Sequence, residues 1–139
     1  MNLKIETQIL RELRRAWDDS LADNPTKRHE EGGYIVVGRE GRQEIIRWPN
    51  GSTSRIRPPD IGADGCYNGL RVIAAFHTHP NPPVDEAGDE WDQEPSVSDL
   101  RWHARKGLPG LVISAAMVYD VFSDGTFAVV GTFKGVLSA

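Results

Sequence analysis

Cysteine is almost missing: Cys66 is the single thiol in 139 residues. One thiol excludes an internal disulfide and any zinc site built from several cysteines. Its plain reading is a small structural residue, the alternative being a nucleophile. Long apolar runs are missing too. No stretch approaches the ~20 apolar residues a membrane-spanning helix needs, and the first residues carry no apolar signal-peptide segment. The expectation is a cytoplasmic protein with no membrane partner. Clustered positive charge is the third lack. Sixteen Lys and Arg face 20 Asp and Glu, for a net charge of −4 and a pI near 5.5. The basic residues are scattered, so the footprint of a nucleic-acid-binding surface is absent. Repeats, low-complexity tracts, phosphate-binding glycine loops and dinucleotide fingerprints are likewise absent.

What is present fits one domain spanning residues 1–139, with 39% hydrophobic composition to supply an ordinary core. Ile5, Ile9, Leu10, Leu13, Trp17 and Leu21 have the one-sided spacing of an amphipathic helix ending before Asn24-Pro25. Arg11, Arg14 and Arg15 lie off that face and read as solvated. A β-branched run follows Gly32-Gly33, and 43–48 repeats it after a four-residue turn, which predicts a hairpin. Residues 50–70, rich in Gly, Pro, Ser and Asp, predict a long irregular connection with a short strand near 54–57. Segments 111–119 and 126–133 are β-rich, with Ser123-Asp124-Gly125 as the turn between them.

The stretch Val72-Ile73-Ala74-Ala75-Phe76-His77-Thr78-His79-Pro80 organises the rest. It predicts a buried strand that ends at proline, which cannot donate to a sheet ladder. Side chains two apart on a strand share a face, so His77 and His79 offer two ring nitrogens to one ion. Histidines at a strand end are as often plain polar or core residues. Downstream, Ser96-Val97-Ser98-Asp99 has the form of a capping box, placing a hydroxyl and a carboxylate at a helix start; the helix should run to Gly107-Leu108-Pro109. His103, four residues after Asp99, shares its helix face. It reads as a surface histidine, with a spare-ligand or supporting role as the alternative. Two adjacent glutamates, Glu30 and Glu31, precede the Gly-Gly pair; unaided, they read as solvated charges, as does His29 beside them.

His77-Thr78-His79-Pro80 followed by Ser96-x-x-Asp99, with an upstream glutamate before a Gly-rich strand, resembles the JAMM (MPN+, JAB) zinc metalloproteases. The resemblance extends to the order of elements over most of the chain, and points to the compact bacterial members because no helix is legible before the His-x-His strand. It implies an α/β fold of the α+β type, a cytidine-deaminase-like mixed sheet flanked by an N-terminal helix and a helix after the zinc-site loop. It implies Zn2+ held by His77, His79 and Asp99, with Ser96 stabilising the tetrahedral intermediate. The general acid/base would be Glu30, three residues before Gly33, with Glu31 the runner-up because the glycine pair permits a one-residue shift. The implied activity is hydrolysis of a peptide or isopeptide amide, removing or processing a ubiquitin or ubiquitin-like protein. Two other readings stand beside it: a peptidase domain of a bacterial toxin or phage-associated system, and a non-enzymatic MPN-type scaffold, a class that loses the zinc ligands retained here.

Residues 81–95 are longer than the family's usual spacer, and strongly acidic. They read as a solvated connection or as a flap beside the metal, in which Trp91 contacts a protein substrate and the carboxylates face basic groups. Asp85, Asp89 and Asp92 are formal competitors for the metal.

Overall fold

The computed structural model describes residues 4–137. The amphipathic spacing becomes helix α1, Thr7–Asp19, which buries Ile9, Leu13 and Ala16. The strands are β1 (Gly32–Val37), β2 (Gln43–Arg47), β3 (Cys66–Tyr67), β4 (Leu70–His79), β5 (Gly110–Ser114), β6 (Met117–Val121) and β7 (Phe127–Thr132). Two more helices follow β4 and β7: α2 (Val97–Lys106) and α3 (Phe133–Leu137). All seven strands join one mixed sheet in the order β2-β1-β4-β5-β6-β7, with β3 added beside β4. Only β4 and β5 run parallel. A parallel pair needs a long crossover, here residues 81–95 and α2.

Alternation along the strands, with a bulge in β4 opposite Ile35 and Val36 that sets Val72 and Ala74 on opposite sides, divides the core between two faces. Ile35, Ala74, Phe76, Leu111 and Ile113 pack with Ile9 and Leu13 of α1 and Leu137 of α3. Tyr34, Val36, Val72 and Ala75 pack on the other face with Trp48 and Leu108, and Val112, Tyr119 and Val121 meet Leu100 of α2 there. The result is a mixed α/β protein in three layers. Among the described residues, no helix is long and apolar enough to cross a membrane.

Three sequence expectations are corrected. No strand forms at 54–57; the Ser52 N–H donates to the Arg55 carbonyl at 2.7 Å and closes a tight turn, while the short strand is β3 at Cys66–Tyr67. The run 111–119 is two strands rather than one. Ser114 breaks it, its hydroxyl accepting from the Met117 N–H and donating to the Met117 carbonyl, both at 3.1 Å. Phe133, expected at the end of the last β-rich segment, instead opens α3; its ring packs on Trp17 with centroids 5.3 Å apart, a tertiary contact that overrides the β propensity of the residue.

Candidate metal centre

β4 brings the two histidines together. Thr78 between them turns to the α1 face and meets the Ser20 hydroxyl at 2.7 Å, so His77 and His79 both project from the opposite face. Their Nε2 atoms lie 3.1 Å apart. Parallel pairing of His77 with Val112 and His79 with Ser114 backs the strand end.

Helix α2 supplies the third group. Ser96 is its N-cap: the Ser96 hydroxyl accepts from the Asp99 N–H at 3.0 Å, and the Ser96 N–H donates to Asp99 Oδ2 at 2.8 Å. That reciprocal pair fixes the carboxylate. Asp99 Oδ2 then lies 3.3 Å from His77 Nε2 and 3.2 Å from His79 Nε2. The capping box and the site are therefore one structure. At the C-terminus Gly107 takes the left-handed conformation, φ 61°, that ends the helix.

Glu30 stands just before β1, held by its main chain: its N–H donates to the Ser52 carbonyl and its carbonyl accepts from Gly51, both at 2.8 Å. One carboxylate oxygen of Glu30 and one nitrogen each of His77 and His79 lie within 4.8 Å of one another, a group able to hold a metal ion. Glu31 is engaged elsewhere, by Arg47 and His29. Of the two glutamates, the geometry therefore brings Glu30 to the histidines.

Electrostatics follow from burial. Glu30 is only 5% exposed, and loss of solvation pushes its carboxyl up to about 7, with His77 pulling it down and Asp99 pushing it up. Burial opposes a charge on His77, yet Asp99, by charge and hydrogen bond, and Glu30 outweigh it and raise that imidazole. For Asp99, burial is outweighed by His77, His79 and the Ser96 N–H, which hold its carboxyl far below the usual range.

The donor set fits a metal. Three ligand atoms 2.0–2.1 Å from a tetrahedral ion stand about 3.3–3.4 Å apart, close to the 3.1, 3.2 and 3.3 Å found between His77, His79 and Asp99. Asp99 meets this spacing with both histidines, and Glu30 is the further member of the cluster.

A cleft of about 1340 Å³ opens over these residues, walled by the 50–58 loop on one side and by residues of the 81–95 segment on the other. That segment is a folded flap. Val84 and Glu90 form an isolated bridge, and the Arg28 guanidinium, 5% exposed, grips Glu86 through two nitrogens at 3.0 and 2.9 Å. Trp91 lines the cleft, and its indole N–H donates to Asp85 Oδ2 at 2.9 Å. Asp85 also accepts from the Ala87 and Asp89 N–H groups, so it holds the flap together and is spent as a metal competitor.

His103 is the main correction to the expected site. It is 2% exposed rather than on the helix surface, because its Nδ1 donates to the Leu108 carbonyl at 2.7 Å and pulls the ring inward. Burial lowers the pKa of its imidazole, with the Leu108 carbonyl and Asp99 opposing and His77 adding to the shift. His103 lines the cleft, as do Trp48 and Trp102. Sequence reasoning missed both tryptophans; Trp48 at a strand end just before Pro49-Asn50 was the available signal. Asn81 was missed too: its side chain donates to the Thr53 carbonyl at 2.7 Å and ties the flap root to the facing loop.

No protein-family model, curated relative or solved structure matches the chain.

Proposed function

We propose that this protein is a zinc-dependent amide hydrolase of the JAMM type, acting on a peptide or isopeptide bond at the end of a ubiquitin-like protein. The observation that carries the reading is the meeting of His77, His79 and Asp99 at 3.1–3.3 Å beside a buried Glu30. Three protein ligands leave the fourth position of a zinc ion for water or substrate, as in catalytic rather than structural sites. Zinc, when bound, lowers the pKa of water toward about 7 and polarises a carbonyl.

The chain's own groups do the rest. Glu30, buried beside the two histidines, would accept a proton from the attacking water and return it to the departing amine, which is what a general acid/base must do in one cycle. Ser96 spends a lone pair on the Asp99 N–H, which leaves its own O–H free to donate to the developing oxyanion. In this reading water attacks the carbonyl, so no acyl-enzyme forms. The cleft between the flap and the 50–58 loop suits an extended chain, and the retained ligand set weighs against a scaffold role.

The test is incubation of the zinc-loaded protein with linear fusions and isopeptide conjugates of ubiquitin-like proteins, read by mass. Cleavage that chelator and Glu30→Gln both abolish supports the reading; intact substrates across the panel contradict it.

A further inference from the structure

Thr78 stands between the two histidines, and its hydroxyl belongs to a buried chain on the other side of the sheet. Thr78 and Ser20 are both 0% exposed. The Ser20 O–H donates to the Ala16 carbonyl at 3.0 Å. Its one proton is then spent, so at the 2.7 Å contact between the two hydroxyls Thr78 is the donor and Ser20 the acceptor. The Thr78 oxygen in turn accepts from the Glu31 N–H at 3.0 Å. The chain therefore has one direction, from Glu31 through Thr78 and Ser20 to the end of α1, and every donor in it is satisfied.

The Glu31 N–H shows what the hydroxyl does. Glu31 faces Thr78 one step beyond the Gly32–His77 pair of β1 and β4, and the Thr78 N–H donates to the Glu31 carbonyl at 2.9 Å. An antiparallel pair of this kind exchanges both main-chain bonds, but here the return bond goes to the side chain. Without that hydroxyl the Glu31 N–H is left buried and unpaired, at the full cost of its desolvation.

The neighbouring bonds complete a clamp on Glu30. The His29 N–H donates to the Ser20 carbonyl at 3.0 Å, and the Glu30 main chain is held by Ser52 and Gly51. Of these main-chain bonds, only the two between Glu31 and Thr78 reach the strand that carries His77 and His79. Ser20 meets both ends of the segment, His29 through its carbonyl and Glu31 through Thr78. Glu30 lies between them.

We propose that Thr78 and Ser20 are positioning residues for Glu30: their hydroxyls set its carboxylate against His77 and His79 by holding the next peptide group to β4. The consequence rests on the amide-hydrolase reading, in which Glu30 moves the proton. A displacement of about 1 Å in a reacting group costs on the order of 100-fold in rate. Both hydroxyls lie on the α1 side of the sheet and touch neither metal nor substrate.

The test compares Thr78→Val, which keeps the branched shape and removes the hydroxyl, with Thr78→Ser, which keeps the hydroxyl. In the zinc-loaded full chain acting on a cleaved conjugate, Thr78→Val should lower kcat about 10- to 100-fold with KM and zinc content little changed, and Thr78→Ser should restore most of the rate. A purely structural role would lower the melting temperature and leave kcat of the folded protein intact. Where Thr78→Val does not fold, Ser20→Ala, which removes the acceptor of the Thr78 hydroxyl, takes its place with the same expectation. Wild-type kcat in the folded variant, equal losses in Thr78→Val and Thr78→Ser, or zinc lost in proportion to rate overturns the proposal. Should the wild type cut no amide, the hydrolase reading falls by itself, and the 13C resonance of the Glu30 carboxyl at fixed pH decides the positioning. A resonance displaced in Thr78→Val and returned in Thr78→Ser supports it; one unmoved in both overturns it.

Discussion

Glu30 and Glu31 are neighbours in the chain but belong to separate networks: Glu30 reaches the two histidines, while Glu31 is held by Arg47 and His29. The Glu31 main chain adds to the division, its N–H donating to the Thr78 hydroxyl at 3.0 Å on the side away from the metal centre. Substitutions should therefore separate them. Glu30→Gln should keep the fold and the metal and lose on the order of 100-fold or more in turnover. Glu31→Gln should leave turnover within a few-fold and cost about 1–3 kcal/mol of stability, because a buried ion-paired group loses its charge. Turnover and melting measured side by side decide; the reverse ranking moves the base to Glu31. Zinc lost from Glu30→Gln but kept in Asp99→Asn would make Glu30 the ligand.

In metal-free protein the Glu30 carboxyl should titrate near 7. A folded pKa above the unfolded 4.5 means that the folded state holds the proton more tightly. This stabilisation is fully present below 4.5 and fades as pH rises through about 7. Zinc, as a nearby cation, favours the carboxylate and should lower the midpoint. Carboxyl 13C NMR checks both; a midpoint at the ordinary value in metal-free protein contradicts the burial argument.

Ser96→Ala removes the cap of α2 and the acceptor for the Asp99 N–H. Loss of a helix cap costs about 0.5–2 kcal/mol, and Asp99 loses part of its orientation, so zinc affinity should drop together with stability. Turnover should fall further than either, since the oxyanion donor is also gone. Ser96→Thr should restore the cap. Zinc competition against a chromogenic chelator and thermal melting give the first two effects; unchanged zinc affinity would uncouple the cap from the metal.

The flap is latched at Arg28–Glu86 and stapled by Trp91 to Asp85. Trp91→Ala should raise KM on a protein substrate with little change in kcat, zinc content or melting temperature, as expected of a contact equal in ground and transition states. Glu86→Gln should free the same flap, at a stability cost set by leaving Arg28 buried and unpaired. Steady-state kinetics on a cleaved conjugate separate the cases, and a Trp91→Ala protein that unfolds makes Trp91 a core residue.

The ligand pattern was legible because it is local. Strand alternation alone puts His77 and His79 on one face, and the Ser96-x-x-Asp99 spacing alone forms the capping box. What was not legible depends on distant contacts. His103 reads as surface by helix spacing, yet the Leu108 carbonyl draws it inside. Ser114 divides a run that β propensity would keep continuous. The packing of Trp48 against Gly32 and Trp102 joins segments far apart in the chain, which no periodicity records. The glutamate choice was open for the same reason: Arg47, 16 residues on, claims Glu31.

The most direct measurement is metal content by mass spectrometry after mild dialysis of the full chain. One zinc per chain is expected in the wild type, with its loss in His77→Ala/His79→Ala and a large drop in Asp99→Ala. Less than half an equivalent in the wild type, or undiminished zinc in the double variant, would contradict the metal centre and the hydrolase built on it.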